Sequence, residues 1–414
     1  MFHVYSAVTG EAIAVVDQTI LAHGSVKELK QYLAELLGIP RFRLRLLQKN
    51  CCLLEDELPN VLEEVQLLVM QYLSRDAEQE KGLMLACERR DVALLEWYLN
   101  QPQAPTFEGE ERCTPLYVAS SNASIECVSL LVEARAYINL GRTDIAVSPL
   151  CIAAAKGHTE VVRLLVQWGA NKDQRTGDDG STPLYLAAQN GHLEVLQHLL
   201  ACGADKAQGT TNGKTPLYMA AVHGDVAMVQ CLVESGANKD EGTTDDGETP
   251  LYVAAEHGNL EVVRYLVEAG ARTNKVHTRK DGATPLFVAA QEGEIEIARY
   301  LLQASIDKEE GRTDCGATPL LIAAENGFLE IVKVLVSSGA DKDAATTDDG
   351  ITPVHGAVLH GHIEVVRFLV EAGACLKGAR DGTTPLSTAI CKGHLDVGRF
   401  LMEFTNTSTQ LCDC

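Results

Sequence analysis

Basic residues are scarce in this sequence. It holds 35 Lys and Arg residues against 57 Asp and Glu residues, which gives a formal net charge of −22 over 414 residues. A surface dominated by negative charge repels phosphate backbones and anionic lipid headgroups. We therefore expect no nucleic-acid partner.

Long apolar runs are absent as well. The sequence has no stretch of about 18 apolar residues, which a membrane-spanning helix needs, and residues 1–16 lack the basic and apolar regions of a secretory leader. The 13 cysteines are odd in number and form no Cys-x-x-Cys pair, so we interpret them as reduced thiols. We expect a soluble intracellular protein without membrane insertion, in the cytoplasm or alternatively in the nucleus.

Signatures of catalysis are also missing. The sequence has no phosphate-binding Gly-rich loop, no Gly-x-Ser-x-Gly, no His-Glu-x-x-His and no kinase signature. His158, His192, His362 and His394 all follow a glycine at the same place in a repeated motif, which indicates architecture rather than metal binding. We expect no enzyme activity, no cofactor and no metal.

A Pro preceded by Thr or Ser returns along most of the chain, at intervals of 32 to 35 residues. The nine copies are marked by Pro115, Pro149, Pro183, Pro216, Pro250, Pro285, Pro319, Pro353 and Pro385. Such spacing indicates a repeat architecture in which each copy is one structural unit.

One copy, residues 180–206, predicts its own local structure. Thr182 can cap a helix through its hydroxyl, and Pro183 suits the first helical position. Gly191 can end that helix in a left-handed conformation, and a second helical periodicity runs to Gly203. Each copy should form a helix, a turn, a second helix and a hairpin. A single copy buries too few apolar side chains to be stable alone, so we expect the copies to stack into a curved array with a concave face.

The motif Gly-x-Thr-Pro-Leu, followed by Ala-Ala, Gly-His and Gly-Ala, resembles the ankyrin-repeat family. The resemblance covers roughly residues 81–404, and residues 82–100 resemble a degenerate first copy, which makes ten units. The family usually has His after Pro-Leu, and this chain keeps it only at His355. An aromatic residue takes that position at Tyr117, Tyr185, Tyr218, Tyr252 and Phe287. The resemblance implies a helical solenoid that binds proteins.

Residues 1–73 lie outside the repeat and have a different pattern of apolar residues. Alternating apolar residues predict a hairpin, then an amphipathic helix over residues 24–37 and strands over residues 43–47 and 65–73. This order resembles the ubiquitin-like (β-grasp) fold. The last strand is not followed by a Gly-Gly tail, so conjugation to substrates is not expected.

These patterns predict a mainly α fold class, in which a small α+β ubiquitin-like domain at residues 1–75 precedes an ankyrin-repeat solenoid at residues 76–404. Residues 405–414 would be a C-terminal tail. Leu47 and Leu68 fall where ubiquitin presents its apolar recognition patch, so a partner that reads this patch could dock there. The alternative is that they are two ordinary leucines of the surface or the core.

Candidate binding positions are those that differ between copies, because packing positions must repeat. They lie before the capping Thr and before the turn glycine, and the resemblance to ankyrin repeats implies that they form a concave recognition face with the hairpin tips. The predicted partner-binding residues are Ser181, Gln189, Asn190, Lys214, Val222, His223, Glu248, Glu256, His257, Gln291, Glu292, Glu325, Asn326, Ile351, Leu359 and His360. Among them, Ile351 and Leu359 would form an apolar anchor near the C-terminal end.

One connector between repeats is basic while its neighbours are acidic. Arg272, Lys275, Arg279 and Lys280 could grip an acidic segment of a partner. The alternative is a solvated loop whose charges pair with neighbouring Asp residues.

The leading functional hypothesis is a non-enzymatic protein-interaction scaffold that holds one or more proteins on its concave face. The alternative is an adaptor that links a client protein to ubiquitin-pathway components through the N-terminal domain.

Overall fold

The computed structural model describes residues 2–9, 11–16, 25–48, 51–53, 65–70, 76–101, 104–109, 111–274, 282–304, 307–312 and 314–411. The chain forms two compact units, residues 1–204 and residues 205–414. The protein is mainly helical, with repeated helix pairs and a small N-terminal domain that contains β-strands, as the sequence predicts. No helix in the described ranges is long and apolar enough to cross a lipid bilayer.

The N-terminal domain holds one mixed sheet and one helix. Its elements are β1 (Phe2–Ser6), β2 (Ala12–Val16), α1 (Val26–Leu37), β3 (Leu44–Gln48), β4 (Cys51–Cys52) and β5 (Val65–Val69). The strand order is β2-β1-β5-β3-β4. Strands β1 and β5 run parallel at the centre, and the other neighbouring pairs run antiparallel.

Local sequence explains the single helix of this domain. The Ser25 hydroxyl accepts from the Glu28 N–H while the Glu28 carboxylate accepts from the Ser25 N–H, which is a capping box. Gly38 ends α1 with a positive φ of 65°. Helix α1 buries Leu29 and Leu33 against the sheet residues Leu44 and Leu67, so one face of the sheet is the core of the domain.

The rest of the first unit consists of four helix pairs. They are α2 (Ala77–Arg89) with α3 (Val92–Leu99), α4 (Pro115–Ser121) with α5 (Ile125–Glu133), α6 (Pro149–Ala155) with α7 (Thr159–Gln167), and α8 (Pro183–Gln189) with α9 (Leu193–Ala201). The first helix of each pair packs on the first helix of the next pair, and the second helices do the same.

The second unit consists of six pairs with the same packing. They are α10 (Pro216–His223) with α11 (Val226–Glu234), α12 (Pro250–Glu256) with α13 (Leu260–Glu268), α14 (Pro285–Glu292) with α15 (Ile295–Gln303), α16 (Pro319–Glu325) with α17 (Leu329–Ser337), α18 (Pro353–Leu359) with α19 (Ile363–Glu371), and α20 (Pro385–Lys392) with α21 (Leu395–Leu411).

The predicted helix signals act as expected. Every repeated Pro is the first residue of a helix, and the Thr182 hydroxyl accepts from the N–H of Tyr185. Gly191 adopts the left-handed conformation between the two helices, with φ of 76°. Ala123 and Arg135 replace glycine at such positions and still adopt φ of 57° and 68°. A non-glycine residue in this conformation is strained by roughly 1–2 kcal/mol.

Side chains that follow the turn glycine join neighbouring pairs. The His192 Nε2 lies 3.1 Å from the Ala155 carbonyl of the preceding first helix, and the His362 Nε2 lies 2.9 Å from the Glu325 carbonyl. Asn259 donates its amide to the Ala221 carbonyl at 2.8 Å. These bonds satisfy carbonyls at the C-terminal end of a helix, where no intrahelical donor remains. The repeated histidines therefore have an architectural role.

The connectors between pairs are joined to one another by main-chain hydrogen bonds. The Gly177 N–H donates to the Ile145 carbonyl at 2.8 Å in the first unit. In the second unit the Thr244 N–H donates to the Asn212 carbonyl at 2.9 Å, and the Thr347 N–H donates to the Cys315 carbonyl at 2.8 Å. Each connector thus fixes the position of the next within its unit.

A buried arginine ties the N-terminal domain to the first helix pairs. Arg41 lies on a 3₁₀ turn after α1, and its side chain is 3% exposed. Its guanidinium contacts the Glu96 carboxylate of α3 and the Glu133 carboxylate of α5, each at 3.0 Å. Arg45 donates to the Asn100 carbonyl beside this contact. The domain is therefore held against the second helices of two successive pairs.

We predict that Arg41→Ala destabilises the first unit by about 3 kcal/mol, because it leaves carboxylates at the interface without their buried counterion. The N-terminal domain should also become more sensitive to limited proteolysis. Lys27→Ala is the matched control, since Lys27 pairs with the same Glu96 at 2.7 Å but is 46% exposed. Its cost should stay below about 1 kcal/mol in thermal unfolding.

The stability difference should depend on pH with a defined sign. Burial raises the pKa of Glu96, but the hydrogen bonds from Lys27 and Arg41 outweigh it, so the pKa lies below its ordinary value of 4.5. A carboxyl with a lowered pKa stabilises the fold above its unfolded pKa, and this contribution is lost as the pH falls through the folded pKa. The gap between wild type and Arg41→Ala should be constant near neutrality and shrink below pH 4.5. A gap that widens in acid would contradict this assignment.

Candidate functional site

Eight of the predicted positions of the second unit lie on the first helices or on the connectors that precede them. We call this set the inner surface, and it comprises Lys214, Glu248, Glu256, Gln291, Glu292, Glu325, Ile351 and Leu359. All of them are half-buried except Glu292, which is exposed. Half-buried side chains that still reach solvent are available to a partner protein, and they are already partly desolvated.

Contacts across two repeats organise the first part of the inner surface. The Tyr218 hydroxyl donates to the Glu248 carboxylate at 2.8 Å, and the Lys214 ammonium lies 5.5 Å from the centre of the Tyr218 ring. Tyr218 is itself buried, since it occupies the position after Pro-Leu. The aromatic residue at that position therefore fixes the orientation of the half-buried Glu248.

Glu256 is the carboxylate at the centre of this part. Burial raises the pKa of Glu256, the charge of Glu248 raises it further, His257 opposes the rise and Glu292 adds to it. The His257 Nδ1 lies 3.6 Å from the Glu256 carboxylate. Carboxylates from two successive repeats thus act on Glu256, and together they create a negative field that attracts cationic groups.

Side-chain amides make hydrogen bonds here, one between neighbouring repeats and one between adjacent residues. The Asn326 amide donates to the Gln291 carbonyl at 3.0 Å, and the Gln291 amide donates to the Glu292 carboxylate at 2.9 Å. Asn326 is therefore engaged in holding two repeats together, which leaves Glu292 as the more accessible group of this cluster.

Glu325 lies over a glycine that replaces an aliphatic residue. The equivalent positions of other repeats carry Val253, Val288 and Ile322, whereas this one is Gly356 in the middle of α18. A Cβ at Gly356 would lie 2.5 Å from the Glu325 Cγ. Burial raises the pKa of Glu325, and His360 opposes the rise. The sequence pattern gave no sign of this arrangement, since it joins two repeats.

A pocket lies at the C-terminal end of the inner surface. It encloses about 300 Å³, and its walls include Ile351, Leu359 and His355, with Asp381 and Lys392 from the following repeat. Ile351 also packs on the buried cluster around Phe287 and Leu321. The two residues predicted as an apolar anchor therefore lie at one cavity.

His355 is the polar wall of this pocket. Its side chain is buried, and its Nδ1 lies 2.8 Å from the Thr352 hydroxyl. Burial lowers the pKa of His355, and the Thr383 main chain and the Asp381 charge oppose this in part. The imidazole is therefore neutral near pH 7, so the pocket presents an uncharged wall between Asp381 and Lys392.

Ser181 is placed differently from the prediction. It is buried, because its hydroxyl donates to the Asp179 carboxylate at 2.7 Å and its N–H donates to the same carboxylate at 3.0 Å. Both bonds close the turn before α8, so Ser181 has a structural role and cannot contact a partner.

The remaining predicted positions are at the C-terminal ends of first helices. The exposed ones are Gln189, Asn190, His223, His257, Asn326 and His360, and Val222 is half-buried. The His360 ring stacks on the His362 ring at 6.2 Å. Gln189 and Asn190 belong to the first unit, whereas the others belong to the second.

Only part of the predicted basic connector is described. The Arg272 N–H donates to the Asp240 carboxylate at 2.7 Å, and the Arg272 side chain lies 3.8 Å from the same group. Lys275, Arg279 and Lys280 lie outside the described residues. The visible contact is the pairing with a neighbouring Asp that was the alternative interpretation.

Leu47 and Leu68 lie on the face of the sheet opposite its core. Both are half-buried, and Leu68 pairs with Arg45 across β3 and β5. Because Arg45 reaches Asn100 of the first helix pair, this face of the sheet borders the contact with the repeats.

Metal chemistry has no candidate centre in the part of the chain that the structure describes. No group of three or more His, Cys, Asp and Glu side chains there is arranged to hold an ion.

We predict that Gly356→Ala drives the Glu325 side chain into solvent, because the new Cβ would overlap its Cγ. The pKa of Glu325 should then fall towards the ordinary glutamate value, as followed by carboxyl NMR during a pH titration. Gly398→Ala is the matched control, since its Cβ would meet only the Ala389 Cβ, at 3.9 Å. That control should leave Glu325 unchanged and stabilise α21 by about 0.5–1 kcal/mol. An unchanged Glu325 titration in Gly356→Ala would contradict the packing described.

Comparison with known proteins agrees with the repeat architecture. The chain matches the family model for ankyrin repeats (3 copies) in five overlapping segments, residues 83–176, 140–210, 184–277, 270–346 and 339–410. None of the curated proteins compared with the chain gives a significant match. The matched segments run from residue 83 to residue 410, well over half of the sequence, and the helix pairs from α4 to α19 lie within them. The chain therefore belongs to the ankyrin-repeat family.

Proposed function

We propose that this protein is a non-enzymatic interaction scaffold that binds a partner protein on the inner surface of its second unit. The observation that carries the proposal is the pocket at Ile351, His355 and Leu359, which adjoins a row of half-buried carboxylates. Protein interfaces draw most of their affinity from a few anchors in desolvated pockets, and the surrounding polar contacts supply specificity.

The chemistry of the pocket supports an apolar anchor from the partner. Ile351 and Leu359 offer apolar contact, and the neutral His355 imidazole beside them carries no charge that an apolar anchor would have to desolvate. Glu256, Glu292 and Glu325 would then favour basic or polar residues elsewhere in the bound segment.

Leu359→Glu should abolish binding of partners that use this pocket, because it places a charge in the cavity. The measurement is affinity capture from source-cell extract with full-length protein, followed by quantitative mass spectrometry. Leu395→Glu is the matched control, since Leu395 is 75% exposed on α21. Partners lost with Leu359→Glu and kept with Leu395→Glu would support the proposal. A capture profile that neither substitution changes would contradict it.

A second candidate function is that of an adaptor in a ubiquitin-related pathway. It is favoured by the strand order β2-β1-β5-β3-β4, with its parallel central pair and one helix packed on the sheet, which is the arrangement expected of a ubiquitin-like domain. The half-buried Leu47 and Leu68 would serve as the patch that such machinery reads.

The adaptor is best tested with Leu47→Ser and Leu68→Ser together, not with a deletion. Removing residues 1–75 would take Arg41 from Glu96 and Glu133 and so disturb the repeats. If the adaptor function holds, ubiquitin-ligase or proteasome components captured by wild type should be lost with the double variant, whereas partners of the inner surface should remain. Recovery of the same components with both proteins would remove the support for this function.

A further inference from the structure

A second groove lies in the first unit. It is bounded by α2, by residues 107–109, 111 and 113 of the following connector and by α4, and it encloses about 710 Å³. Its apolar walls are Met84, Leu85, Phe107 and Val118. Leu85 is 37% exposed, whereas Phe107 is only 4% exposed and anchors the connector. Pockets of this volume hold whole small ligands, so the groove has room for one or two side chains of a partner.

The groove exists because the first helix pair departs from the repeat. Helix α2 starts from an Asp76 cap instead of Thr-Pro and runs for 13 residues, compared with 7 in α4. Its additional turns rise beside a connector that is closed by the hydrogen bond from the Gly109 N–H to the Cys113 carbonyl at 3.0 Å. The additional turns of α2 therefore form one wall of the groove. The shorter α4 has no such turns at the equivalent place in its own repeat.

Negative charge predominates around these apolar walls. The lining includes four carboxylates, Glu80, Glu88, Glu108 and Glu111, against the single ammonium of Lys81. Glu88, Glu108 and Glu111 are exposed, and the Glu108 carboxylate accepts from the Thr143 hydroxyl at 2.7 Å. A partner segment that enters this groove must therefore bring apolar side chains together with positive charge.

We propose that this groove docks a short segment of a partner protein in which one or two large apolar residues are flanked by Lys or Arg. The apolar side chains contact Met84 and Leu85, and the flanking cations pair with Glu88 and Glu111 at the rim. Arginine suits this role because its aliphatic stem packs on apolar surface while its guanidinium stays with the carboxylates. The site uses no residue of the inner surface, so it is independent of the scaffold function proposed above.

Charge also argues against a second copy of this chain as the occupant. The protein carries a formal net charge of −22, so two copies repel each other over most of their surface. A basic segment of another protein is attracted by the same field, and the groove then selects segments that also carry apolar residues.

The test uses the full-length protein and a fluorescein-labelled 12-residue peptide with two leucines flanked by four arginines, followed by fluorescence anisotropy. We expect saturable binding that weakens as salt is added. Glu88→Arg with Glu111→Arg should weaken binding at least about tenfold, because the rim changes sign. Leu85→Asp, at a partly exposed position, should weaken it by a similar factor and serves if the double variant does not fold.

Matched controls separate the groove from the general charge of the protein. Glu126→Arg with Glu160→Arg makes the same charge change on the exposed sides of α5 and α7, and should alter binding less than about twofold. Leu359→Glu in the second unit should have no effect. A peptide with serines in place of the leucines should bind at least about tenfold more weakly than the original.

Three results would overturn the proposal. They are equal losses with the rim and control variants, equal binding of the leucine and serine peptides, and absence of saturable binding to wild type. Self-association of the wild type in sedimentation-velocity ultracentrifugation that disappears with Leu85→Asp would also overturn the proposal, because the occupant of the groove would then be a second copy of the chain.

Discussion

Each helix pair of this protein depends on its neighbours for burial. A pair of helices with seven to nine residues each, as in α12 and α13, has too little apolar surface to fold alone. Its first helix is buried only when the first helices before and after it are in place. The hydrogen bonds from His192 and Asn259 to carbonyls of the preceding pair also fix the orientation of one pair relative to the next. Because every pair packs on its neighbours in the same way, the same Pro, Ala and Gly positions recur along the sequence.

The same dependence explains why binding positions are found where they are. Side chains that meet the next repeat are constrained, whereas those before the capping Thr and before the turn glycine reach solvent. In the second unit these positions accumulate carboxylates, so Glu256 and Glu325 are partly desolvated and the pKa of each is raised. Partly desolvated charges next to an apolar pocket are suited to a protein partner. Because folding has already removed part of their water, binding requires less further desolvation.

The N-terminal domain contributes to the first unit as a structural partner and not only as an appended module. Arg41 neutralises carboxylates of two successive pairs, and Arg45 reaches the end of α3. Any protein that reads the face with Leu47 and Leu68 would therefore contact a surface that borders the repeats. Ends of repeat arrays need such protection, because a terminal repeat has a neighbour on one side only.

The sequence by itself determined the repeat number, the helix starts and the helix ends, because capping Thr, first-turn Pro and left-handed Gly act within a few residues of one another. It also predicted the helix and four of the five described strands of the N-terminal domain from their alternation and periodicity, but not the short strand β4. What it could not determine were contacts between residues that are far apart along the chain. Ser181 looked exposed by analogy, yet the fold of its own turn buries it on Asp179. The place of Glu325 over Gly356, the pairing of Arg41 with Glu96 and Glu133, and the groove beside Met84 were decided only by the tertiary structure, since each brings together elements whose separation in sequence carries no periodic signal.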